Sequence, residues 1–121
     1  MNRKIFVLDD DEHSCRLAQQ ALGRAGFEVE AQTRAIGATV NIKAFGPDLL
    51  LLDVMMPALS GESLVEILQR ALKPRPKILF YSNKSATELR KLVERTGVEG
   101  FICKVDGPTN LVRQVRQILQ E

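Results

Sequence analysis

The sequence predicts a doubly wound α/β fold, a five-stranded parallel sheet with helices on both faces. Three observations carry that prediction. Short continuous apolar runs recur along the chain, the habit of strands buried on both faces of a parallel sheet. Segments with apolar residues at helical spacing lie between them, each able to lay one face on the sheet. The two kinds alternate strictly, and right-handed crossovers then distribute the helices above and below.

The first run is Ile5–Leu8, IFVL. Behind it Ala18, Ala21, Leu22 and Ala25 repeat at i, i+3, i+4 and i+7, and Gly26 stands where a C-cap glycine belongs. Phe27–Ala31 is an alternating run, read as a second strand. The helix over Arg34–Phe45 is weaker, because Gly37 costs about 1 kcal/mol in a helix interior, although Ile36 and Val40 sit one above the other. Leu49–Leu52 follows as a run of leucines, and Leu64, Val65, Leu68, Ala71 and Leu72 make a stripe stopped by Pro74. After Ile78–Tyr81, Ser85 and Glu88 form a capping box ahead of Leu89, Leu92 and Val93, and Gly97 ends that helix. Phe101–Cys103 is the last strand. Pro108 opens the last helix, with Leu111, Val112, Val115, Ile118 and Leu119 on its apolar face.

Composition narrows the function classes. A chain of 121 residues holds one domain, 1–121, and at 45% apolar and 26% charged residues it is an ordinary globular mix. Seventeen basic against fifteen acidic residues, a formal +2, is no nucleic-acid footprint, and the absence of Trp argues against a stacking surface. No run approaches the roughly 20 apolar residues of a membrane span. The start MNRKIFVLDDD runs into aspartates too early for a signal peptide, so a cytoplasmic location is expected. Cys15 and Cys103 are too far apart for a zinc knuckle or a C-x-x-C pair and read as reduced thiols.

In such folds, sites gather at the carboxyl ends of the strands. The residues just past the apolar runs are Asp9, Asp10 and Asp11, then Asp53, Ser82 and Lys104. Two carboxylates about 4 Å apart repel by roughly 4 kcal/mol at an effective dielectric near 20, and each raises the other's pKa unless a cation intervenes. A hard divalent ion removes that penalty. Mg²⁺ fits best, since it takes one or two carboxylates and keeps positions for water and phosphate oxygens. With Lys104 and Ser82 able to hold phosphoryl oxygens, the set reads as a site for phosphoryl transfer onto a carboxylate. Asp11 and Glu12 read as helix-start residues, His13 as a solvated one, and Met55 and Met56 as core filling.

IFVLDDDE, LLLLDVMMPALSGESLV, ILFYSN and GFICK, in that order and spacing, resemble the response-regulator receiver domains of two-component signalling, over essentially the whole chain. The resemblance implies a flavodoxin-like (βα)5 three-layer sandwich with strand order 2-1-3-4-5. It implies that Asp53 is the phosphoacceptor, taking its phosphoryl group from a sensor histidine kinase or a phosphotransfer protein. Asp9, Asp10, Asp53 and the Met55 backbone carbonyl would hold Mg²⁺, with Mn²⁺ as the alternative ion. Ser82 and Phe101 match the switch pair, Lys104 the phosphate-binding lysine, and Met55 and Lys84 the rim positions that influence phosphate lifetime. The surface of the fourth helix, fifth strand and fifth helix would carry the output to a downstream protein or a fused effector domain, as a monomer or a phosphorylation-dependent dimer.

The protein would be no conventional enzyme, catalysing at most its own phosphorylation and dephosphorylation. There are departures from the pattern. Val105 stands where proline with a cis bond is usual, so a trans bond or a reshaped loop is expected. Ser82 replaces threonine, Asn83 a small residue, and Phe101 tyrosine. Two other readings compete. One is a pseudo-receiver that binds proteins without phosphorylation. The other is a small Mg²⁺-dependent phosphatase of the haloacid-dehalogenase kind, with Asp9 as nucleophile and Asp11 after it; no acidic pair follows Lys104 to support it. With no effector sequence after Glu121, a stand-alone receiver and a piece of a longer regulator are equally expected.

Overall fold

The computed structural model describes residues 3–56 and 60–121. Strands β1 (Lys4–Leu8), β2 (Glu28–Gln32), β3 (Leu49–Leu52), β4 (Lys77–Ser82) and β5 (Gly100–Cys103) alternate with helices α1 (Glu12–Arg24), α2 (Ala38–Phe45), α3 (Gly61–Ala71), α4 (Ala86–Thr96) and α5 (Gly107–Ile118). All strands pair in parallel, in the order β2-β1-β3-β4-β5. The fold class and order expected from the sequence are those observed.

Strand side chains alternate between faces, and the two cores follow that parity. Phe6, Leu8, Leu50, Leu52, Ile78 and Phe80 meet Ala38 and Ile42 of α2, Leu64, Val65 and Leu68 of α3, and Leu89 of α4. Ile5, Val7, Leu49, Leu51, Leu79, Tyr81 and Ile102 meet Cys15, Ala18 and Leu22 of α1 and Leu111 and Val115 of α5. All four leucines of β3 are fully buried, each contributing about 1.5–3 kcal/mol. That is why this strand reads as an unbroken apolar run.

Most local signals hold. Asp11 caps α1, accepting the His13 N–H at 2.9 Å and the Ser14 hydroxyl at 3.2 Å. The Glu88 N–H donates to Ser85 Oγ at 3.2 Å at the start of α4, and Pro108 lies in the first turn of α5. The second helix is a correction. Gly37 adopts φ 79° and caps α2 from outside instead of lying within it, a left-handed conformation that glycine reaches without strain. Ile36 therefore falls in the preceding loop, 88% exposed, Val40 is 70% exposed, and the buried face is Ala38 and Ile42. The two methionines also part: Met56 is buried and Met55 is 52% exposed, so only Met56 fills core. Within the motif after β3, Pro57, Ala58 and Leu59 lie outside the described residues.

Past β5 the chain turns through a 3₁₀ turn, Lys104–Asp106, before α5. Among the described residues the one cis bond precedes Pro74, so the Lys104–Val105 bond is trans. Of the two outcomes expected there, the trans bond is the one observed.

Candidate functional site at the carboxyl edge of the sheet

Parity and register assemble the site. Asp9 follows Val7 by two, Asp53 follows Leu51 and Lys104 follows Ile102, so all three continue strand rows that face α1 and α5. The backbone ties the strand ends together here, the Asp53 N–H donating to the Leu8 carbonyl of β1 at 2.9 Å and the Asp9 N–H to the Gln32 carbonyl of β2 at 3.1 Å. Asp9 and Asp53 are buried, and Asp10 is exposed at their edge. One carboxylate oxygen of each lies within 4.8 Å of the others.

Lys104 closes the group. Its ammonium sits 2.6 Å from Asp9 Oδ2 and 3.3 Å from Asp53 Oδ2. The Asp11 N–H donates to Asp9 Oδ1 and the Met55 N–H to Asp53 Oδ1, both at 3.0 Å. Asp9 Oδ2 is buried and, apart from the ammonium beside it, has no hydrogen-bond donor among the described residues. Burial pushes the Asp9 carboxyl up to about 6, against the pull of Lys104. Burial also works against the Lys104 ammonium, but Asp9 and Asp53 outweigh it and hold the lysine above its ordinary value.

Three carboxylates this close together, two of them buried, are a donor set for a hard divalent cation. Asp11 is outside that group. Its carboxylate is occupied by the helix cap, which removes the second acid that the phosphatase reading required.

The remaining residues stand apart from the acids. Ser82 ends β4, fully buried, on the opposite parity with Phe80, and its Oγ accepts the Lys84 N–H at 3.3 Å; no bond joins it to Asp53. Lys84 pairs with Glu88 at 3.5 Å on the rim. Phe101 is half-buried against the α3–α4 core, with the Arg90 guanidinium 5.8 Å from its ring centroid. His13 is exposed, and both cysteines are free. The Cys15 thiol donates to the Asp9 carbonyl at 3.3 Å, and burial pushes it up to about 11.

Two neighbours escaped the reading of strand ends alone. The Tyr81 ring lies 5.5 Å from the Lys104 ammonium, and Arg90 lies against Phe101. Strand parity could have found the first, since Tyr81 shares a face with Ile102 and Lys104.

Comparisons with known proteins agree with this geometry. The family "Response regulator receiver domain" matches residues 5–116. The alkaline phosphatase synthesis transcriptional regulatory protein PhoP of Bacillus subtilis is 31% identical over 120 residues, covering 99% of this chain and 50% of that protein. Protein-glutamate methylesterase/protein-glutamine glutaminase 3 of Rhodospirillum rubrum is 30% identical over 98% of this chain and 33% of its own length. The chain thus spans about half or less of these relatives. The BeF3-activated N-terminal receiver domain of Klebsiella pneumoniae RstA superposes with a TM-score of 0.86 at 26% identity, covering 98% of this chain and 100% of that one.

Proposed function

The chain belongs to the response regulator receiver domains, and from that premise we propose that Asp53 accepts a phosphoryl group from the phosphohistidine of a sensor kinase or phosphotransfer protein. The observation that carries this reading is the buried pair of Asp53 and Asp9 bound by a single ammonium, Lys104. An oxygen of Asp53 attacks phosphorus, the bond from phosphorus to the donor nitrogen breaks, and its electron pair leaves with the imidazole. The Met55 N–H orients the acceptor carboxylate, and Lys104, within reach of Asp53, receives a phosphoryl oxygen as charge builds there.

Asp9, Asp10 and Asp53, with the Met55 carbonyl, would hold Mg²⁺ or Mn²⁺. When bound, the ion supplies charge neutralisation for the incoming phosphoryl group. The protein's own part is alignment, so its catalysis extends to its own phosphorylation and dephosphorylation. Met55 and Lys84, at the rim, would bear on how long the phosphoryl group lasts.

A phosphoryl group on Asp53 draws the Ser82 hydroxyl toward it, and Phe101 turns into the space released. The face of α4, β5 and α5 then shifts between two populations, read by a partner protein or by an effector domain on the same chain. Residues 1–121 act as one receiver unit, in the cytoplasm, without contacting nucleic acid directly. Among the described residues no helix is long and apolar enough to cross a membrane.

Intact-mass spectrometry after incubation with Mg²⁺ and a small acyl phosphate tests the acceptor. We expect a gain of one phosphoryl group in wild type, dependent on Mg²⁺ and lost in Asp53→Ala. A phosphoryl group that persists in Asp53→Ala and disappears in Asp9→Ala would overturn the assignment. So would a wild type that stays unmodified with both the small donor and a cognate kinase.

A further inference from the structure

We propose that Tyr81 is a positioning residue for Lys104, its ring holding the ammonium between Asp9 and Asp53; the consequence for phosphorylation rests on the acceptor reading above. Tyr81 pairs in register with Ile102 of β5, and Lys104 lies two residues further along, at the start of the 3₁₀ turn. The ring is buried, and the Lys104 side chain is only 9% exposed. At 5.5 Å from the ring centroid, the ammonium lies within the range over which an aromatic quadrupole attracts a cation, and burial strengthens that attraction.

Lysine is a point charge on a flexible four-carbon stem. Two carboxylates attract it without fixing the side from which it approaches. The next side chain adds little restraint, since Val105 is 80% exposed. The ring supplies a third contact beside the two carboxylates, 5.5 Å from an ammonium that lies 2.6 Å from Asp9 and 3.3 Å from Asp53. The ring's face does this, so the hydroxyl is dispensable.

The test compares Tyr81→Phe, which keeps the ring, with Tyr81→Leu, which keeps apolar bulk. Two readouts are taken on the folded full chain: the rate of phosphorylation by the small acyl phosphate, and the proton shifts of the Lys104 ε-methylene by NMR. Tyr81→Leu should slow phosphorylation by about tenfold, while Tyr81→Phe stays within about twofold of wild type. The Lys104 ε-protons should be shifted upfield by the ring in wild type and Tyr81→Phe, and return to ordinary lysine values in Tyr81→Leu.

Equal slowing in both variants would assign the effect to the hydroxyl and overturn the proposal, as would a wild-type rate in Tyr81→Leu or unshifted Lys104 protons in wild type. If wild type takes up no phosphoryl group from either the small donor or a cognate kinase, the acceptor reading falls. The ring shift then decides the Tyr81 contact on its own.

Discussion

At the scale of single residues, the pressure in this molecule is concentrated on Asp9. Its carboxyl, buried and raised from 3.8 to about 6, binds a proton in the folded protein between those values while the unfolded chain has already released it. Folding stability without metal therefore falls as pH rises through that window and levels off above it. A divalent ion needs the ionised form, so its affinity moves the other way. Calorimetric titration with Mg²⁺ should show affinity about tenfold weaker at pH 5 than at pH 7.5. Asp9→Asn should flatten the melting-temperature profile between pH 4 and 6. The residues behind this behaviour are legible in the sequence, because the end of each apolar run names its occupant: Asp9, Asp10, Asp53 and Lys104 all stand there. Tyr81 is not legible, because within ILFY it reads as one more apolar residue. Its partner lies two residues beyond its register mate Ile102, so strand parity has to be combined with strand pairing to find it.

Whole elements depend on smaller decisions at their ends. Gly61 opens α3 against Val54, and a Cβ there would lie 2.7 Å from Val54 Cγ1 and 2.9 Å from its Cβ. Val54 adjoins Asp53, so little can yield without moving the acid. Gly61→Ala should lower stability by about 1–3 kcal/mol in thermal or urea melts. Ser85→Ala, which deletes the α4 cap, should cost about 1 kcal/mol by the same measurement. Capping signals such as Ser85 with Glu88 act within four residues and were readable for that reason. The α2 boundary was not. Ile36 and Val40 have helical spacing, but Gly37 between them takes a left-handed backbone, and the Ala38–Ile42 pair that is buried looked no more apolar than the pair that is exposed.

For the molecule as a whole, the apolar alternation of strands and helices was enough to give the fold class. The order of strands in the sheet came from resemblance to a family, since periodicity does not say which strand lies beside which. Leu51, fully buried in the central strand β3 two residues before Asp53, ties fold to site. Leu51→Ala should cost about 2–5 kcal/mol in a denaturant melt. The topology also divides the site unequally. Asp9 and Asp53 follow interior strands, whereas Lys104 follows β5, an outer strand with neighbours on one side only. Local opening spans a wide range of free energies, lowest where packing is thinnest. An opening that begins at the margin of the sheet would therefore take the lysine away before either acid, so completeness of the site is bounded by its outermost strand.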